Sequence, residues 1–158
     1  MLKLMWSSYF DDFFSVTDAD TSQHTDFAIS ALFRILGWRL STDKLIPYDS
    51  LCKVLGVTFD LRLSGAGLSF VSNTEERIKE LCDNLEEVIE SRVLKRSDGE
   101  KLRGRLLFAA GQLFGRKARN MIRLLSYHIQ CGRRTLCDDT VEALTCLKNI
   151  LSLNVPRK

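Results

Sequence analysis

Ser8-Tyr9-Phe10-Asp11-Asp12-Phe13-Phe14 sets two adjacent carboxylates inside a run of aromatic residues. Aromatic side chains favour strands, whereas aspartate is disfavoured there and tolerates turns. The stretch therefore reads as strand, tight turn at Asp11-Asp12, strand, with both acids at the tip of the hairpin. Adjacent carboxylates repel one another unless a cation lies between them, and hard oxygen donors at a turn suit Mg²⁺ or Mn²⁺. Asp11 and Asp12 are thus candidate metal ligands, with a solvated turn as the plain alternative.

Outward from this hairpin, Asp18-Ala19-Asp20-Thr21-Ser22 offers several N-caps for a helix running to Leu36. Phe27, Ala28, Ala31, Leu32, Ile35 and Leu36 recur at helical spacing, Gly37 suits the C′ position, and the helix is expected to cover one face of a sheet. Trp38-Arg39-Leu40 alternates as a short strand. Pro47 confines Leu45-Ile46-Pro47-Tyr48 to an edge strand or a strand end. Leu51 to Leu61 is rich in β formers, and Gly65-Ala66-Gly67 ahead of Leu68-Ser69-Phe70-Val71 suggests the return arm of a hairpin. Gly56 within that strand marks a bulge or a close approach of another backbone.

From Ser72 the pattern changes to helix. Ser72 and Glu75 fit a capping box, and Ile78, Leu81, Cys82, Leu85, Val88 and Ile89 trace one apolar stripe. A second capping box, Ser97 to Glu100, starts a helix with Leu102, Leu106, Ala109 and Leu113 on its buried side, where Gly104, Gly111 and Gly115 permit close helix contact or a break. Ala118, Ile122, Leu125 and Ile129 cluster on one side of the following segment, opposite Arg116, Arg119 and Arg123. A last helix starts at Asp138 or Asp139 and uses Val141, Leu144, Leu147 and Leu151. The fold class is α+β, with a hairpin-containing region over 1–71 and a helical region over 72–158 joined near Val71.

The chain of 158 residues is long enough for one core or two small lobes. Its longest apolar runs are broken by charge well before a bilayer-spanning length, and the N-terminus lacks a signal-like apolar stretch, so an intracellular, cytoplasmic or nuclear setting without a membrane is expected. Five cysteines with no C-x-x-C pair argue against a disulfide framework. Charge is polarised along the sequence. Residues 1–60 hold five Lys/Arg against eight Asp, and 61–158 hold eighteen against twelve Asp/Glu. Between Lys101 and Arg134 there are nine Lys/Arg and no acid, the footprint expected for a polyanion partner.

Tyr9-Phe10-Asp11-Asp12 resembles the Tyr-x-Asp-Asp catalytic hairpin of reverse transcriptases. Leu36-Gly37-Trp38, Lys44, Pro47 and Leu55-Gly56-Val57 follow in the order and approximate spacing seen in retroelement polymerases. Leu102-Arg103-Gly104-Arg105-Leu106-Leu107-Phe108 and Gly115-Arg116 look like the thumb of retrotransposon enzymes, so the likeness covers roughly residues 4–130. It implies a β-hairpin-containing partial palm followed by a helical thumb-like lobe. Asp11 and Asp12 would be metal ligands for Mg²⁺ or Mn²⁺, Tyr9 would shape the hairpin near the primer, and Lys44 would lie near the incoming nucleotide's phosphates. Leu55-Gly56 would belong to the primer grip. Arg103, Arg105, Arg116, Lys117, Arg119 and Arg123 would meet an RNA/DNA template-primer, and the full-length enzyme would take deoxynucleoside triphosphates.

The family's remaining essential aspartate sits on an earlier palm strand, and only seven residues precede Ser8, so the chain is expected to be inactive alone. The competing reading is a noncatalytic basic helical nucleic-acid-binding remnant. A third, a helical interaction protein with an acidic hairpin, leaves the basic stretch without a partner.

Overall fold

Strand β1 (Met5–Tyr9) pairs antiparallel with β2 (Asp12–Val16), with Tyr9 opposite Asp12 and Met5 opposite Val16. The hairpin is thus present in the computed structural model, which describes residues 5–9, 12–112 and 118–158. Asp12 opens the second strand, while Phe10 and Asp11 lie outside the described residues. The chain divides into two compact units, Met1–Asp49 and Ser50–Lys158.

In the first unit, α1 (Ser22–Ile35) follows a short 3₁₀ turn at Ala19–Thr21, and its N-cap position is Thr21. It ends as Gly37 implied. The glycine takes φ +73, Trp38 N–H donates to Phe33 O at 2.9 Å, and Gly37 N–H donates to Arg34 O at 3.1 Å, the paired bonds of a Schellman end. That reversal lays Trp38 back on Phe33, with ring centroids 5.5 Å apart, and Phe13 of β2 meets Phe33 edge-on at 4.7 Å. Trp38-Arg39-Leu40 is therefore aromatic packing after a helix end rather than a strand, and 45–49 forms no strand either. The expected apolar stripe of α1 splits. Phe33 is buried, but Phe27, Ile35 and Leu36 are exposed, because the helix turns its Thr25, Ala28, Ile29, Leu32 and Phe33 side inward.

The second unit begins with a three-stranded antiparallel sheet, β3 (Leu51–Val54), β4 (Val57–Asp60) and β5 (Phe70–Asn73), in that order. Gly56 does not make a bulge. Leu55 (φ 53) and Gly56 (φ +74) are both left-handed and form the two-residue connection of a tight hairpin, the geometry that matches strand twist. Ser72 lies within β5 opposite Thr58, so it cannot cap a helix. The cap of α2 (Glu75–Ser91) is Thr74, whose Oγ1 accepts from Arg77 N–H at 3.4 Å.

Helix α3 (Arg96–Gly111) starts two residues ahead of the expected capping box, with Lys95 at the N-cap position and Ser97 Oγ donating to Asp98 instead. Helices α4 (Arg119–Gln130) and α5 (Asp138–Leu153) complete the unit. Leu81, Leu85, Leu106, Leu125, Leu144, Leu147 and Leu151 are fully enclosed. The close helix approach is at Gly99, where a Cβ would come within 3.0 Å of Ile129 Cγ1, whereas Gly104 and Gly111 face open space. Leu113 and Gly115 lie outside the described residues.

The sheet is built into this unit rather than ahead of it. Asn73 Nδ2 donates to Ala109 O at the end of α3 at 3.0 Å, and Val71 exchanges backbone hydrogen bonds with Arg157 at 2.8 Å. The division into compact units falls at Asp49–Ser50, which groups this sheet with the helices. No described helix is long and apolar enough to cross a membrane.

Helix phase in α4 gives a first test. Leu125→Ala removes a fully enclosed side chain and should cost about 2–5 kcal/mol in urea unfolding, while Leu124→Ala, its half-exposed neighbour, should stay within about 0.5 kcal/mol. Equal losses would mean that the helix is rotated from this phase. A second test concerns the end of β4, where Arg62 grips Asp60 through Nε at 2.9 Å and Nη2 at 2.6 Å. These side-chain bonds first, then the Arg62 N–H, hold the Asp60 carboxyl at about 2, below the ordinary 3.8. The depressed value means that the pair's contribution is complete above about 3.8 and is lost as pH falls through about 2. Carboxylate NMR should find Asp60 titrating near 2, and Arg62→Ala should return it toward 3.8.

Candidate nucleic-acid interface

Among the described residues, Asp12 and Lys44 belong to the first compact unit, and Leu55, Gly56, Arg103, Arg105, Arg119 and Arg123 to the second. Asp12 is exposed at the start of β2, opposite the backbone of Tyr9, and Asp11 and the Tyr9 side chain lie outside what is described. One oxygen-donor side chain suits a hard cation chemically, but Mg²⁺ wants six oxygens in near-octahedral array, and a two-metal centre needs several carboxylates. Among the described residues no group of three or more His, Cys, Asp or Glu is arranged to hold a metal. Of the pair that the resemblance assigns to a metal, Asp12 is the described member. Lys44 ends an exposed 3₁₀ turn, Thr42–Lys44, in the same unit.

Leu55 and Gly56 occupy the tip of the β3–β4 hairpin and are half-buried. The tip is held down from α2: Gly56 O accepts from Thr74 N–H at 3.2 Å, and beside it Lys53 Nζ meets Glu76 Oε1 at 3.0 Å. The Lys53 bonds, after a backbone hydrogen bond, lower the Glu76 carboxyl's pKa.

The basic stretch is sorted by helix phase. Positions two apart on a helix point about 160° away from each other at 3.6 residues per turn, so Arg103 and Arg105 on α3 cannot share a face. Arg103 is half-buried, and Arg105 spends its charge on Glu80 Oε1 at 2.5 Å. On α4, by contrast, Ala118, Ile122, Leu125, His128 and Ile129 are buried, and Arg119 and Arg123, one turn apart, both face outward. Neither has an ion-pair partner among the described residues. Arg116 and Lys117 lie outside those residues.

Two residues escaped the sequence reading. Tyr127 follows Arg119 and Arg123 at the next turn of α4 and is 67% exposed, so an aromatic ring shares the arginine face. The four-residue interval 119, 123, 127 carried that signal. Arg77 sits against the hairpin tip, with its guanidinium 4.5 Å from the centre of the Phe108 ring and tight under Gly56. Nothing in the spacing of α2 marks it, because the contact joins three elements far apart in sequence.

Two outward arginines with an exposed tyrosine in line are suited to phosphates and to a base or sugar face. Such a surface positions a nucleic-acid backbone without reading its sequence. Compared with known protein families, with curated proteins and with solved structures, the chain matches none.

Proposed function

We propose that the chain is the palm-end, primer-grip and thumb portion of a retroelement reverse transcriptase, acting here as a holder of template-primer rather than as a complete polymerase. The observation that carries the holding role is the outward Arg119–Arg123 pair on α4, without an acidic partner among the described residues. Like charges one helical turn apart repel, and a polyanion relieves that repulsion while releasing its own counterions. The polymerase assignment rests on the resemblance of Tyr9-Phe10-Asp11-Asp12 and the words that follow it, supported by a hairpin that places Asp12 opposite Tyr9. In that reading Mg²⁺ or Mn²⁺ and deoxynucleoside triphosphates belong to a catalytic centre that needs further carboxylates.

The second reading is a noncatalytic nucleic-acid-binding remnant. It is favoured by the independence of the helical unit, which carries its own leucine core and the arginine face with it. The two readings agree on binding and part over chemistry.

Primed RNA or DNA template incubated with the chain, nucleotides and Mn²⁺ should show no extension. Incorporation abolished by Asp11→Asn would show a complete site within these residues. Binding is tested by fluorescence anisotropy on a labelled RNA:DNA hybrid across a salt series. Replacing Arg119 and Arg123 together by Ala should weaken binding on every sequence alike and flatten the slope of log K against log salt by up to about two units. An unchanged slope, with helicity intact by circular dichroism, would remove α4 from the interface.

A further inference from the structure

Arg77 is placed against local preference in two ways. It lies in the first turn of α2, where unsatisfied backbone N–H groups already carry partial positive charge. Its Nη1 is enclosed without a hydrogen-bond partner, a costly state for a guanidinium nitrogen. Of the acids on α2, the adjacent Glu76 pairs with Lys53 at 3.0 Å, and Glu80, one turn on, pairs with Arg105 at 2.5 Å. Arg77 itself makes no ion pair among the described residues.

What it does have is shape. Its planar guanidinium lies over the Phe108 ring of α3, with Cζ 4.5 Å from the centroid. The same guanidinium meets Gly56, where an added Cβ would fall within 3.0 Å of Nη2, Cζ and Nε. Gly56 also needs its glycine for φ +74, and its carbonyl is tied to Thr74 N–H at 3.2 Å. The tip of the β3–β4 hairpin is therefore fixed twice from the start of α2, by one hydrogen bond and by one flat side chain backed by an aromatic ring. A lysine would keep the charge and lose the plate.

We infer that Arg77 is a positioning residue, the spacer that sets the Leu55–Gly56 tip against α3 and so presents that tip to a nucleic-acid backbone without touching it. Nη1 itself cannot meet a phosphate, because it is closed off from water, while the rest of the half-exposed side chain lies against Gly56. The inference rests on the reading of the tip as part of the nucleic-acid surface.

The test uses the full chain and the labelled RNA:DNA hybrid, at a temperature where circular dichroism shows every variant folded. Arg77→Met should weaken binding about tenfold and leave the salt slope unchanged, because no phosphate contact is lost. Arg77→Lys should bind as poorly as Arg77→Met. Gly56→Ala probes the same contact from the other side, and its loss combined with Arg77→Met should be less than the product of the two single effects. Wild-type affinity in Arg77→Met would overturn the inference. So would a slope reduced by about one unit, which marks a direct contact, or full recovery in Arg77→Lys, which marks charge alone. If the wild-type chain binds no hybrid at any salt, the nucleic-acid reading fails first and this inference falls with it. If wild type binds and the Arg119, Arg123 double variant is impaired while Arg77→Met is not, only the positioning role is lost.

Discussion

Seven leucines, all without exposed surface, fix the helical unit: Leu81 and Leu85 on α2, Leu106 on α3, Leu125 on α4, and Leu144, Leu147 and Leu151 on α5. Enclosing one such side chain is worth roughly 1.5–3 kcal/mol, and a helix rotated by one residue would exchange several of them for water. The rotation of each helix is therefore set by its leucines. Everything on the outside follows from that choice. With Leu125 and Ile122 turned inward, Arg119, Arg123 and Tyr127 have only the outer surface of α4 left to them.

The first unit is built on a thinner base. Its described packing centres on the buried Phe33, met by the half-buried Phe13 and the exposed Trp38, with Thr17, Thr21 and Thr25 joined by hydroxyl hydrogen bonds of 2.9 and 3.0 Å. Phe27 and Ile35 on α1, and Ile46 beyond it, remain more than half exposed. Exposed apolar groups of this size are a cost left standing in the unit taken by itself.

Legibility in the sequence follows this division. Where a stripe is long and one-sided, as in α2, α4 and α5, the periodicity located both helix and core, down to Ile78, Leu81, Leu85, Ile122, Leu125, Leu144, Leu147 and Leu151. Helix starts were less readable because several residues can cap. Thr74 took the place assigned to Ser72, since the hydrogen bonds of β5 claimed Ser72 first. Trp38-Arg39-Leu40 alternates like a strand, but the Schellman reversal at Gly37 sends Trp38 onto Phe33, a tertiary choice that alternation cannot express. Gly56 was rightly singled out: in place of a bulge it makes a two-residue turn, and the close backbone is that of Thr74, whose N–H reaches Gly56 O at 3.2 Å. Of the proposed interface, the spacing alone gave the shared side of Arg119 and Arg123. It could not give Arg77, whose contacts are with Gly56 and Phe108, each more than twenty residues away.

The nine cations between Lys101 and Arg134 look like one basic surface when read as a run, and the fold breaks the run into parts with different fates. Arg105 is neutralised by Glu80, which lies outside the acid-free window in sequence but beside it in space. Arg103 points about 160° away from Arg105 on the same helix and is half-buried. Arg119 and Arg123 keep their exposure and have no ion-pair partner among the described residues. A polyanion responds to unpaired, outward charge, because only such a cation gains when condensed counterions are released. The outward face proposed for a polyanion on α4 is therefore set by the leucines buried beneath it, which have no surface of their own.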